Sequence, residues 1–114
     1  MLNHIVLIKF KASVEETDIR IIEDLLDDLP NKIVEIHQYE FGRNIIQSDR
    51  SYDFALVALF ANPESLQRYQ EHPDHLSVLR KLSSMCENII TVDFPGSDAS
   101  AIKEKIPDQD LPRW

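Results

Sequence analysis

The chain has 114 residues, 43% of them apolar and 28% charged, and its 20 acidic side chains against 12 basic ones leave a net charge of −8. That length fits one domain, and that composition excludes a disordered chain or a second full-sized core. The negative charge, with no basic run to offset it, excludes nucleic acid and anionic membrane surfaces as partners.

Residues 3–10, Asn-His-Ile-Val-Leu-Ile-Lys-Phe, carry apolar groups on both alternating faces, which predicts a strand covered on both sides. Ser13 and Glu16 have capping-box spacing, so a helix is expected to begin near Val14. Ile19, Ile22, Leu25, Leu26 and Leu29 recur at helical spacing opposite Glu23, Asp24, Asp27 and Asp28, which read as a solvated face. Pro30-Asn31 is expected to end the helix. Residues 33–41 predict a second strand, with Gly42 at a turn or bulge after it, and the polar stretch 43–51 predicts a loop.

Residues 52–60 predict a third strand that leaves no polar face for water. Its apolar core, 55–61, is the longest such run in the chain and too short to cross a bilayer. The first residues also lack a signal peptide's basic flank, so a cytoplasmic location is expected. Asn62-Pro63 starts a second helix, expected to reach His72, and Asp74 is expected to cap a third carrying Leu76, Leu79, Leu82 and Met85. Cys86, the one cysteine, cannot form an internal disulfide and is expected to pack on a helix. Residues 88–94 form the last predicted strand, which gives a domain over 1–95 and a polar, proline-interrupted tail over 96–114.

The resulting order, β-α-β-β-α-(α)-β, is an α+β, ferredoxin-like arrangement in which helices cover one face of a four-stranded antiparallel sheet. The chain offers no helices for the other face, so a second copy packed against the open sheet face is the expected cover. The densest polar cluster is Tyr69-Gln70-Glu71-His72-Pro73-Asp74-His75, with two of the four histidines at a helix break. Pro73 breaks the face that His72 and His75 would need to share as metal ligands, so no metal site is expected.

Three stretches, His4 to Lys11, Tyr52 to Leu56 and Tyr69 to His75, give residues 2–94 a pattern that resembles the stress-responsive A/B barrel (Dabb) family. That resemblance implies a homodimer that pairs sheet to sheet as a dimeric α+β barrel. The family's clearest enzymes are similar to plant polyketide cyclases of the olivetolic acid type, which close a linear polyketide without metal or organic cofactor. Carried over by motif, His75 becomes the base, Tyr69 its support and His4 a polar neighbour. Val6, Ile8 and Leu56 line an apolar cavity, Ile22 and Leu26 flank it from the first helix, and Asp93 orients the histidine. The aliphatic Ile22 and Leu26, and Cys86 where the cyclases have a tryptophan, imply a differently shaped, less aromatic pocket.

The chemistry expected of this set is cofactor-independent acid/base catalysis on a small carbonyl compound, of a cyclase, lyase or isomerase kind. In the plainer alternative the protein is a non-catalytic stress-responsive or ligand-binding dimer. His75 then caps the helix junction, and Tyr69 packs its ring with its hydroxyl bonded to backbone. A cofactor-free monooxygenase-like protein is the second alternative. His37, Tyr39 and Tyr52 are expected at the sheet surface or the dimer interface.

Overall fold

The computed structural model describes residues 1–96, so the tail expected over 96–114 lies, beyond Gly96, outside the described residues. Strand β1 (Leu2–Phe10) is followed by helix α1 (Glu16–Lys32), strands β2 (Gln38–Arg43) and β3 (Phe54–Phe60), helices α2 (Pro63–Glu71) and α3 (Pro73–Ser83), and strand β4 (Cys86–Pro95). The sheet order is β2-β3-β1-β4, antiparallel throughout, so the first strand is central and hydrogen-bonds on both edges. This is the ferredoxin-like order expected from the sequence.

Period two divides β1 between two environments. His4 and Ile8 are buried under the helices, opposite Ala58 and Phe54 of β3, whereas Asn3, Ile5 and Leu7 point to the other face. On the helix side Phe54, Leu56, Ala58 and Phe60 of β3 pack against Ile22, Leu26, Leu29 and Ile33 of the first helix segment. On the open side Ile5 lies between Val57 and Val92, and Leu7 between Ala55 and Ile90. Val57, Ile90, Val92 and Phe94 are each 40% exposed or more, so that face is a continuous apolar surface.

Several boundaries differ from expectation for local reasons. Helix α1 starts two residues later than the Ser13 box implies: Asp18 accepts from the Glu15 N–H at 3.0 Å, so the reciprocal cap belongs to Glu15 and Asp18. It also runs through Pro30 to Lys32. A proline in the last turn removes one backbone bond, while Leu29 and Ile33, both buried, hold that turn to the core and the Ile33 N–H still reaches the Leu29 carbonyl at 2.9 Å. Ile33 is therefore the last member of the 22, 26, 29, 33 stripe rather than the first residue of a strand, and β2 begins five residues later, at Gln38.

Gly42 lies inside β2 with no positive φ, so it marks no turn. Glu23, read as part of a solvated face, is half-buried under a fork: Arg43 at the end of β2 donates to Glu23 and Glu16 at 2.7 Å and ties strand to helix. Cys86 opens β4 instead of packing on a helix.

The Tyr52-Asp53-Phe54 stretch has a structural use. The Asp53 carboxylate accepts from the Phe10 N–H at 2.8 Å, its own N–H donates to the Ile8 carbonyl at 2.9 Å, and its carbonyl accepts from the Asn44 N–H at 2.8 Å. One residue thus closes the end of β1, the start of β3 and the loop between β2 and β3.

Ile22 is fully buried while Leu25, one turn-face away, is 37% exposed. Ile22→Ala should therefore lower unfolding free energy by about 2–5 kcal/mol and Leu25→Ala by about 1 kcal/mol or less, measured by urea denaturation.

Candidate functional site

Tyr69 and His75 sit on different helices joined by one residue. Asn62 starts α2 by accepting from the Ser65 N–H at 2.8 Å, with Pro63 in the first turn. His72 ends α2 and also starts α3: its backbone is extended (φ −64°, ψ 135°), as a residue before proline must be, and its Nδ1 accepts from the Asp74 N–H at 3.1 Å. The cap expected of Asp74 is thus made by His72, because Pro73 occupies the first helical position. With the chain turned at this residue, the Tyr69 and His75 rings face each other with centroids 4.3 Å apart.

Between sheet and helices lies a cavity of about 280 Å³. Of the expected residues, His4, Val6, Ile8, Leu26, Leu56, Tyr69 and His75 line it. Ile22 does not: it is fully buried in the core cluster. Asp93 is not a lining residue either. It stands opposite His4 in the β1–β4 register and its carboxylate is hydrogen-bonded to His4 Nδ1, so the histidine it orients is His4. An acceptor on Nδ1 fixes His4 as the Nδ1–H tautomer and leaves Nε2 for other partners.

Sequence reasoning missed Tyr39. Placed in advance at the sheet surface, it is largely buried and lines the cavity, with its hydroxyl 2.7 Å from that of Tyr69. The signal was present: from Gln38 to Phe41 the strand alternates polar and aromatic, so Tyr39 and Phe41 share the inner face. The expected strand began at Ile33, inside the helix stripe, which blurred that alternation. Val78, Leu79, Leu82, Ile89 and Thr91 complete the walls. His37 is exposed, and the Tyr52 hydroxyl accepts from the Asn88 side chain at 2.7 Å.

The electrostatics of the cavity follow from the burial of its titratable groups. His75 Nδ1 lies 3.2 Å from the Gln70 carbonyl, which can only accept, so Nδ1 carries the proton and Nε2 the lone pair. Burial pulls the His75 pKa below its ordinary value of 6.5, assisted by the nearby His4 and His72, while the Gln70 carbonyl opposes the shift. Burial pushes the Tyr69 phenol up to about 12, against the bond from Tyr39, and raises Tyr39 further still. At neutral pH the cavity therefore holds a neutral imidazole beside protonated phenols. Among the described residues no group of three or more His, Cys, Asp or Glu side chains could hold a metal ion, and no helix is long and apolar enough to cross a membrane.

The family model of the stress responsive A/B barrel domain matches residues 2–95. The chain belongs to this family. No curated protein sequence matches it. Among solved structures, it is similar to a dimeric ferredoxin-like protein of unknown function from Thermobifida fusca YX, at 30% identity over 82% of this chain and 88% of that one, with TM-score 0.76. A second dimeric protein of unknown function and ferredoxin-like fold, from Bacteroides fragilis NCTC 9343, is 27% identical over 82% of this chain and 93% of that one, at TM-score 0.70. The hydroxynitrile lyase of Passiflora edulis shares the fold at 17% identity, over 86% of this chain and 94% of that one, with TM-score 0.77. The Dabb fold thus accounts for the chain from Leu2 to Pro95, cavity included.

The depressed His75 pKa links the cavity to folding. As pH falls through 6.5 the unfolded chain binds this proton before the folded one does, so the unfolded state holds more protons and stability drops with falling pH. Urea unfolding between about pH 7 and pH 5 should show wild type losing more stability than His75→Gln, which lacks the titrating ring.

Proposed function

We propose that this Dabb protein catalyses cofactor-independent proton transfer on a small carbonyl compound bound between its sheet and helices. The carrying observation is the cavity itself, open at 280 Å³ rather than filled, with the basic Nε2 of His75 and the Tyr69 phenol on facing rings. In the proposed step His75 Nε2 takes a proton from the carbon next to a carbonyl, and the Tyr69 hydroxyl donates to the oxygen on which the enolate charge develops. A base held neutral at pH 7 by burial suits this work, because a protonated imidazole has no lone pair to offer.

The volume is at the low end of ligand cavities, which run from roughly 300 to 1,000 Å³, so the substrate has few heavy atoms. A cyclase, lyase or isomerase step would each begin from the same proton transfer. The hydroxynitrile lyase with this fold and the sequence resemblance to polyketide cyclases both agree with that class. Of the two, the narrow aliphatic walls favour a short substrate over an extended polyketide.

The same reading includes a homodimer through the open sheet face. Ile5, Leu7, Val57, Ile90, Val92 and Phe94 form an apolar surface on three adjacent strands, and the Thermobifida fusca and Bacteroides fragilis proteins are both described as dimeric.

Two experiments test this. Exchange of the α-protons of acetylacetone in heavy water, followed by proton NMR, should be accelerated by wild type and slowed about a hundredfold in His75→Ala, with little change in melting temperature. Equal rates in the two proteins sink the reading, and a variant that mainly melts early favours the non-catalytic alternative. Sedimentation should give a dimer for wild type and a monomer for Val92→Asp.

A further inference from the structure

We propose that Tyr39 is a positioning residue that donates its hydroxyl proton to Tyr69 and so turns the Tyr69 hydroxyl toward the cavity as the donor for a planar oxyanion of enolate or phenolate type. The inference rests on the acid/base reading of the cavity and adds a residue and a ligand class to it.

Two phenols carry two O–H groups, and the 2.7 Å contact between their oxygens consumes one of them. It is the one hydrogen bond that either hydroxyl makes among the described residues, so the second O–H remains to be donated. Position decides which phenol holds it. Tyr69 is central among the polar rings, 4.3 Å from His75 and 6.2 Å from His4 between centroids, whereas Tyr39 stands on the edge strand β2, 6.1 Å from Tyr69 and next to Phe41. The chain of donors therefore runs from Tyr39 through Tyr69 to the ligand. A hydrogen bond received at its oxygen makes Tyr69 a stronger donor through its own O–H, because consecutive hydrogen bonds polarise one another.

The walls explain why such a chain matters. No lysine or arginine lines the cavity, so the counter-charge to a negative oxygen formed there is the imidazolium that His75 becomes on taking the proton, and the rest of its support must come from neutral donors. His75 gives its Nδ1 proton to Gln70, and His4 gives its own to Asp93. Beside the Thr91 hydroxyl and the Gln70 side chain, the phenol pair is what remains to support an oxyanion between apolar residues such as Val6, Leu56 and Val78, where a charge without donors is costly.

The test compares two probes of similar size, 4-nitrophenol, whose phenolate presents an oxyanion, and nitrobenzene, which lacks the acidic oxygen. Calorimetric titration of wild type should show binding of both rings, and absorbance titration should show the bound nitrophenol ionising at lower pH than in solution. Tyr39→Phe should weaken nitrophenolate binding about five- to tenfold and shift the probe's ionisation back toward its solution value. Nitrobenzene affinity should change by less than about twofold, which shows the cavity intact. Tyr69→Phe should weaken nitrophenolate further. An unchanged preference for nitrophenolate over nitrobenzene in Tyr39→Phe overturns the role of Tyr39, and so does a wild-type protein that binds neither ring. The acid/base reading is judged separately, by the exchange rate of His75→Ala.

Discussion

The rest of the molecule depends on the two-sided pairing of β1. A strand bonded to β3 on one edge and β4 on the other has no freedom to slide, and its period of two then assigns each side chain to one face. His4, Val6 and Ile8 look into the layer under the helices, and Asn3, Ile5 and Leu7 look away from it. Because the register is locked, the part that β1 contributes to the cavity and the part that it contributes to the apolar opposite face are fixed together within one nine-residue strand. The Asp53 clamp reinforces this by bonding both Ile8 and Phe10, so that the end of the pair where β1 finishes and β3 begins cannot fray without losing these hydrogen bonds.

Much of this was legible in advance, for physical reasons that differ by element. An apolar run on both faces, as in β1 and β3, has few interpretations in a chain of this size, and Asn62-Pro63 is a strong local start signal that the α2 cap bears out. Boundaries failed where two periodicities overlap. Ile33 fits a helix stripe and a strand equally well by eye; it is the buried C-cap of α1, extended in backbone, and the strand itself starts only at Gln38. That ambiguity displaced β2 and hid Tyr39, whose burial depends on which face of β2 meets α2. The start of α1 failed similarly, because Ser13-Glu16 and Glu15-Asp18 offer competing caps and local sequence does not rank them.

The site shows a different limit. The residues around the cavity come from all three helices and all four strands, and their convergence is a tertiary fact. Motif resemblance singled out His75 and Tyr69. It did not separate Ile22 from Leu26, which are four residues apart on one stripe, because which of the two meets the cavity depends on how far α1 extends along the sheet. Nor did it indicate that Asp93 serves His4, which follows from the antiparallel register alone.

The junction at His72 gives the pair a property that tertiary packing rarely supplies. Tyr69 and His75 are separated by a joint with a single pair of backbone torsions, and Pro73 holds that pair in the extended region. The relative direction of the two helices is thus narrowed locally before they meet the sheet. The two side chains therefore meet across a joint that proline has already restricted, which leaves less backbone freedom to lose as the helices pack on the sheet.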